Sequence, residues 1–390
     1  MNFSATREYL DYYEEHKIIP VLSLRDLKKT VLKKQRFGFF FKIGITPNDF
    51  LNKEVLELCP GTGVNSYYLL KFTKVKHITL VDNNSSSIKE LKKILKNFNK
   101  KKIINEDIKT VKIKKKYDYV IMENSLMGFE NPNKIFNKIY NFVKSGGCLV
   151  FTTSDEVALL SEKMRFLYSQ IIISKNNLYK KSFNKKVKVL AKVFKSHLNT
   201  LQVKIKTPEK WVQDTMLNYQ MIRKNKYFSL LDLSKIIKKK KLIVKAQSPN
   251  FHVDYQWYKK FEIQKHNQNI IKNYMSERIN FLDFEQKFNS VDYVKKNKII
   301  NKIIFVNKLI NKMNTENIEK SYIFKILNEL GRISSGLNSL EKNNKISLAI
   351  NGFVKSLKTY FKSGKLNTNE IKAFKTFWGH GTCQISMLKY

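Results

Sequence analysis

The chain has 390 residues, enough for two domains or for one enlarged α/β domain with additions. Apolar residues make up 42% of it and are spread, with the aromatics, along the whole length, which excludes a disordered chain. The formal net charge of +42 fits either a polyanionic partner or the codon bias of an AT-rich genome, because Lys outnumbers Arg roughly tenfold and runs evenly through every segment.

Met1 to Tyr13 is polar and acidic, unlike a signal peptide, and no apolar run has the length of a membrane span. Residues 1–50 read as an N-terminal helical cap, with a helical stretch around Leu24 to Lys34 leading into the aromatic segment Phe37 to Lys42. Residues 51–155 alternate strands and helices. Glu54 to Leu58 is a short apolar strand ending in Cys59-Pro60-Gly61-Thr62-Gly63, and a helix follows over Asn65 to Phe72. His77 to Val81, Lys102 to Asn105, Tyr117 to Met122 and Cys148 to Thr152 are the next strands, with helices over Ser86 to Phe98 and Pro132 to Val143. Residues 156–240 are a Lys-rich helical insertion that reads as the substrate region. Residues 241–263 hold a last strand pair, Leu242 to Ala246 and Tyr255 to Ile263, expected to complete the sheet. Residues 264–390 read as a helical C-terminal region, with helices over Val291 to Lys312, Ile318 to Asn328 and Ile346 to Phe361. The expected fold is α/β, with a doubly wound, mostly parallel sheet of seven strands. Cys59, Cys148 and Cys383 stand far apart, with neither a disulfide framework nor zinc spacing, which suits a reducing cytoplasm and predicts no metal.

The chemistry concentrates where the first strand turns into a helix. Gly61 and Gly63 let the backbone approach a bound nucleoside closely. Asp82 ends the next strand, where a carboxylate can accept hydrogen bonds from both ribose hydroxyls. Gly-x-Gly alone also suits a nicotinamide or flavin enzyme. Here an acid, Glu57, precedes the glycines, and Ser66 replaces the third glycine of the dinucleotide pattern. An acid near the loop suits the ammonium and sulfonium of S-adenosylmethionine, which carries no phosphate.

Glu57 to Gly63, Asp82, Asp107, Glu123 and Ser145-Gly146-Gly147 together resemble the motifs of class I, Rossmann-like S-adenosylmethionine-dependent methyltransferases. The resemblance implies that Gly61 and Gly63 line the methionine and ribose portion and that Asp82 holds the ribose. It also implies that Asp107, with the backbone of Ile108, meets the adenine amino group, and that Glu123 lies beside the methionine end. Trp211 to Asn218, Tyr227 to Leu230, Ser248 to Lys259 and the Gly-rich aromatic tail Phe377 to Ser386 resemble an uncharacterised group of bacterial methyltransferase-domain proteins. Gln256 and His380 stand where that group carries Arg.

Trp211 to Asn218 gathers Trp, Gln, Asp and Asn in a Lys-rich chain, and His252, Asp254, Trp257 and Tyr258 gather again before the last expected strand. Methyl transfer needs a positioned acceptor and, for a hydroxyl, a base. His252 and Asp254 are the candidate catalytic residues, with Asp214 as orienting partner and Glu123 as a second candidate base. Trp378 is read as the apolar anchor of a docked tail loop. The leading function is transfer of a methyl group to an O or N atom of a small polar molecule or glycan. RNA methylation, a non-catalytic S-adenosylmethionine-binding scaffold and a nicotinamide dehydrogenase are the alternatives. A nucleic acid is a less favoured partner, and the C-terminal helices are a candidate surface for a homo-oligomer.

Overall fold

The computed structural model describes residues 9–19, 29–201, 206–218, 227–252, 254, 258–289, 292–364, 367 and 369–390. In chain order the elements begin with α1 (Tyr9–Glu15), α2 (Lys29–Lys42), β1 (Glu54–Leu58), α3 (Val64–Phe72), β2 (His77–Asp82), α4 (Ser85–Ile94) and β3 (Lys101–Asn105). There follow β4 (Tyr117–Met122), α5 (Pro132–Asn141), β5 (Val143–Thr153), α6 (Leu160–Lys175), α7 (Phe183–Leu198) and α8 (Pro208–Trp211). The chain ends with α9 (Leu230–Ile237), β6 (Leu242–Ser248), α10 (Ile263–Glu277), α11 (Tyr293–Lys312), α12 (Lys320–Leu340), α13 (Lys345–Ser363), α14 (Lys372–Thr376) and β7 (Cys383–Lys389). They form two units. A sheet unit holds Met1–Ser154, Phe228–Met275 and Thr382–Tyr390, and a helical unit holds Asp155–Tyr227 and Ser276–Gly381.

The sheet has seven strands in the order β3-β2-β1-β4-β5-β7-β6, with β1 to β5 parallel and β7 antiparallel to both its neighbours. β1, β2 and β4 are near-continuous buried runs, as expected when helices cover both faces of a sheet. On one face Phe40, Phe50, Tyr68, Leu69 and Leu91 pack against Val55, Leu80, Tyr119 and Val150. Helix starts are set locally. The Asn84 side chain accepts from the Ser87 amide at 2.7 Å, and the Asn131 side chain from the Lys134 amide at 3.0 Å, with Pro132 opening α5.

The last strand pair is a correction. β6 lies where expected, but the strand expected over Tyr255–Ile263 does not complete the sheet. Tyr258 to Glu262 are exposed and irregular, Ile263 opens α10, and residues 255–257, with Trp257, lie outside the described residues. The seventh strand is Cys383–Lys389, so residues 264–390 are not helical to their end. The slot between β5 and β6 explains the choice. A strand there is paired on both edges and covered on both faces, and Lys259 and Lys260 would bring charge into it. Cys383, Ile385, Ser386 and Met387 are small or apolar, and all four are buried. The Ser386 hydroxyl finds a partner in the Ile43 carbonyl at 2.6 Å.

In the helical unit, α12 and α13 are latched by reciprocal bonds from Ser334 Oγ to the Ser347 carbonyl (3.1 Å) and from Ser347 Oγ to the Ser334 carbonyl (3.0 Å). Asn344 caps α13 through the Ser347 amide at 2.8 Å. Arg165 of α6 is wholly buried. One of its nitrogens donates to the Phe374, Lys375 and Phe377 carbonyls, and its guanidinium lies 3.5 Å from the Trp378 ring centroid. Trp378 is buried in this way, and its Nε1 donates to Thr200 Oγ1 at 2.9 Å. The Arg278–Asp155 ion pair, at 2.8 Å, is buried in the same unit.

Candidate cofactor and acceptor site

The loop after β1 runs through left-handed backbone at Cys59 (φ +54°), Gly61 (+57°) and Gly63 (+80°). Gly63 has a second constraint, since a Cβ there would lie 2.2 Å from Leu91 Cδ1 of α4. The loop is tied to β2 by Asp82. Its Oδ2 accepts from the Gly61 amide at 3.0 Å and its Oδ1 from the Asn84 amide at 2.9 Å. Burial pushes the Asp82 carboxyl up, against these bonds.

Glu57 is buried at the end of β1 and accepts from Ser66 Oγ of α3 at 2.5 Å. Ser66, which replaces the third glycine, therefore holds the acid that precedes the glycine loop. Burial, then the Glu123 and Asp82 charges, push the Glu57 carboxyl up to about 7, while the Ser66 bond and Arg36 pull the other way. Cys59 is pushed up by burial first and then by Asp82, Asp107 and Glu57. Glu57, Asp82, Asp107 and Glu123 thus lie at or just past the carboxyl ends of β1, β2, β3 and β4, an acidic edge in a chain of net charge +42.

Glu123, just past β4, is held by both arms of Arg36 of α2: one nitrogen donates at 2.9 Å, and the other bonds the second carboxylate oxygen. The Arg36 guanidinium also lies 4.3 Å from the Phe39 and 4.9 Å from the Phe40 ring centroid. Its Nε is buried without a partner among the described residues. Asn124 is left-handed (φ +52°), and its amide donates to Thr152 Oγ1 at 2.6 Å, joining the ends of β4 and β5. Asp107 turns back on its own loop, accepting from the Lys109 amide at 2.7 Å and pairing with Lys109 Nζ at 3.2 Å. Ile108 beside it is buried. In α1, Glu14 accepts from the amide (2.7 Å) and hydroxyl (2.9 Å) of Ser85, three residues past Asp82.

The candidate catalytic residues are not gathered in the same way. The ring of His252 lies 5.1 Å from that of His266, whose Nε2 contacts the Val244 carbonyl at 3.0 Å. Burial, and then His266, lower the His252 pKa. Asp254 is exposed. Asp214 belongs to the helical unit, in the π-helical turn Val212–Met216, where it is ion-paired with Lys206. Glu123, the second candidate base, has both oxygens on Arg36. His380 packs against Phe281 and Phe284, and Cys383 begins β7. No cluster of three or more metal-ligating side chains occurs among the described residues.

Arg36 was missed in the sequence, although a signal existed. This chain uses Lys almost everywhere, so a retained Arg marks a place that needs a planar fork. Among the described arginines, Arg36, Arg165 and Arg278 are buried and Arg332 is exposed.

The residues fit S-adenosylmethionine. The acidic edge suits an ammonium and a sulfonium, Asp82 the ribose, and the unpartnered Arg36 Nε the carboxylate of the methionine end. A family model described as a methyltransferase domain matches residues 50–228. The malonyl-[acyl-carrier protein] O-methyltransferase 2 of Ilyobacter polytropus is 30% identical over 144 residues, covering 35% of this chain and 55% of that protein. The malonyl-[acyl-carrier protein] O-methyltransferase of Priestia megaterium is 31% identical over 107 residues, covering 27% of this chain and 39% of that protein. The chain thus spans about half the length, or less, of these curated relatives. The N-methyltransferase NodS of Bradyrhizobium japonicum WM9, solved with S-adenosyl-L-homocysteine, overlaps 37% of this chain and 74% of its own at 14% identity and a TM-score of 0.31. Residues 50–228, a little under half of the chain, match a methyltransferase domain, and this part of the chain is of the class I, Rossmann-like, S-adenosylmethionine-dependent kind.

Proposed function

We propose that the protein is an S-adenosylmethionine-dependent O-methyltransferase whose acceptor is the carboxylate of a small acyl compound. The observation that carries the reading is the row of acids Glu57, Asp82, Asp107 and Glu123 at the carboxyl ends of β1 to β4, with Asp82 holding the left-handed Gly61–Gly63 turn and Arg36 on Glu123. The bound cofactor supplies an electrophilic methyl on a sulfonium. The chain binds, orients and excludes water. The acceptor class rests on two supports. The relatives' names describe O-methylation of a malonyl group, whose ionised oxygen is a carboxylate. In the site itself Glu57 is held by Ser66, Asp82 by two amides and Glu123 by Arg36, so each acid has a structural partner. An acceptor ionised at neutral pH needs no base from the protein.

The test is calorimetric binding of S-adenosylhomocysteine and NADH, with and without Asp82→Ala, followed by transfer of labelled methyl to malonyl-coenzyme A. Micromolar S-adenosylhomocysteine binding, weakened about tenfold to a hundredfold in the variant, and a labelled base-labile ester are expected. Preferential NADH binding would overturn the cofactor assignment. Cofactor binding without ester formation would overturn the acceptor class. RNA is the second reading, favoured by the net charge of +42, and it requires RNA methylation with a steep salt dependence. The cytoplasmic setting, drawn from the three unpaired cysteines, belongs to this proposal as well. Among the described residues no helix is long and apolar enough to cross a membrane.

A further inference from the structure

In an open, mostly parallel sheet the carboxyl ends of the strands are the edge where ligands bind. The Gly61–Gly63 loop and Asp82 lie at that edge, after β1 and at the end of β2. Two helices from the first part of the chain reach it. Arg36 of α2 grips Glu123 just past β4, at the methionine end expected for the cofactor. Glu14 of α1 reaches the turn after β2, at the ribose end. The proposed function uses Arg36 and leaves Glu14 without a role.

That turn is closely specified. Asp82 takes the amides of Gly61 and Asn84, and the Asn84 side chain takes the amide of Ser87. Glu14, 71 residues away in sequence, takes both donors of Ser85: Oε1 accepts from its amide at 2.7 Å and Oε2 from its hydroxyl at 2.9 Å. Ser85 is the first residue of α4, so no carbonyl of that helix can satisfy its amide, and a carboxylate there also meets the positive end of the helix. Glu14 lies within electrostatic reach of Asp82 as well. Burial comes first among the causes that raise the Asp82 carboxyl, and the Glu14 charge adds to it. A second observation concerns where α1 packs. Tyr12, Tyr13 and Ile18 are buried, yet none belongs to the core cluster that α2, α3 and α4 build on the sheet face. α1 is therefore docked at the strand-end turn and not in that layer. The Glu14 bonds themselves are exposed to water. A carboxylate latch in water holds a short helix in place and still opens at small cost when a ligand exchanges.

We infer that α1 covers the nucleoside end of the bound cofactor and that Glu14 is the positioning residue that fastens it to the ribose turn. The two helices then hold opposite ends of one ligand, Arg36 at the carboxylate of the methionine end and Glu14, through Ser85, at the ribose. Glu14 acts without touching the ligand. It fixes the turn that carries Asp82, and with α1 in place the Asp82 carboxylate and the ribose hydroxyls are shielded from water. The inference rests on the methyltransferase reading and adds to it a residue that governs how long the cofactor stays.

Glu14→Ala and Ser85→Ala, made singly and together in the full chain, test it against two probes. One is S-adenosylhomocysteine. The other is 5′-methylthioadenosine, which keeps the nucleoside and the sulfur and lacks the amino-acid end. Tyr12, Tyr13 and Ile18 still anchor α1 in these variants, so the thermal unfolding midpoint should stay within about 2 °C of wild type. In Glu14→Ala both probes should bind about fivefold to tenfold more weakly, with most of the change in the dissociation rate. Arg36→Lys should weaken S-adenosylhomocysteine and leave 5′-methylthioadenosine within about twofold. Ser85→Ala keeps the amide bond and should lose less, and the double variant should bind no more weakly than Glu14→Ala alone. Backbone hydrogen exchange over Tyr9–Glu15 should slow when 5′-methylthioadenosine is added to the wild-type protein. That measurement needs no variant, and it decides the matter if Glu14→Ala destabilises the fold. Exchange in α1 that ignores the ligand would overturn the inference, and so would affinities unchanged in a folded Glu14→Ala. A loss confined to S-adenosylhomocysteine would put Glu14 at the amino-acid end and overturn it too. Folded wild-type protein that binds neither probe would instead remove the cofactor reading, and the inference with it.

Discussion

The sheet unit and the helical unit each bury an arginine, and the two guanidiniums are held differently. Arg36 is clamped on the Glu123 carboxylate and stacked on Phe39 and Phe40, with Nε left over at the ligand edge. Arg165 bonds no side chain among its described partners: it donates to three carbonyls at and beyond the end of α14 and lies on Trp378. Burial, offset in part by Glu162, still lowers its pKa to about 10, so it remains charged at neutral pH. Both guanidiniums leave donors over, Nε on Arg36 and Nε and Nη1 on Arg165, and the first does so beside the acids at the strand ends. The second satisfies free carbonyls at a helix C-terminus and anchors the segment leading into β7. Buried positive charge is held by a carboxylate at a strand end in one unit and by carbonyls at a helix end in the other.

Substitutions in the two units separate the two arginines, and the largest effect falls on Arg165. Arg165→Ala empties the Trp378 stack and frees three carbonyls, and it should cost about 3–5 kcal/mol in equilibrium urea unfolding. An unchanged midpoint would remove the architectural role. Gly63→Val places a side chain at φ +80° and against Leu91, and it should weaken S-adenosylhomocysteine binding about a hundredfold or more in protein that still folds. Binding within a few-fold of wild type would sever the loop from the cofactor. Arg36→Lys keeps the charge and loses the fork, so affinity for S-adenosylhomocysteine should fall about tenfold, whereas Arg165→Lys should change unfolding and leave that affinity alone. Equal effects on binding from both would erase the distinction between the units.

The smallest effect is a pH dependence. Glu57 is an acid raised from 4.5 to about 7, so the stability it contributes is complete below its unfolded value and is lost as pH rises through about 7. Its ionisation adds a negative charge near the cofactor's cationic end. Preference for S-adenosylmethionine over the uncharged-sulfur product should therefore grow a few-fold, about threefold, between about pH 6 and pH 8. Glu57→Gln should flatten both the stability slope and this preference, as read by calorimetry across the pH range. A wild-type ratio that does not vary with pH would place the Glu57 titration elsewhere.

The first five strands and the acids at their ends were legible because each is a local pattern. An apolar run ending in Gly-x-Gly, followed about one βα unit later by Asp82, needs no knowledge of the distant chain. Ser66 was legible as a departure but not as a solution, because its bond to Glu57 forms only when α3 folds back over β1. The seventh strand was misplaced because Tyr255–Ile263 carries strand-forming aromatics, while Cys383–Lys389 looks like a weak polar tail. What decides between them is the slot beside β5, which the two sequences do not describe.

By itself, the sequence determined the class: a βα pattern, a glycine turn and acids at strand ends are properties of contiguous residues, and they imply S-adenosylmethionine before any contact is known. Which strand closes the sheet, which arginine grips Glu123 from 87 residues away, and which buried amides are left without a partner became fixed on folding. These depend on residues far apart in the chain becoming neighbours. Pairing, desolvation and leftover hydrogen-bonding capacity exist only once those neighbours have displaced water.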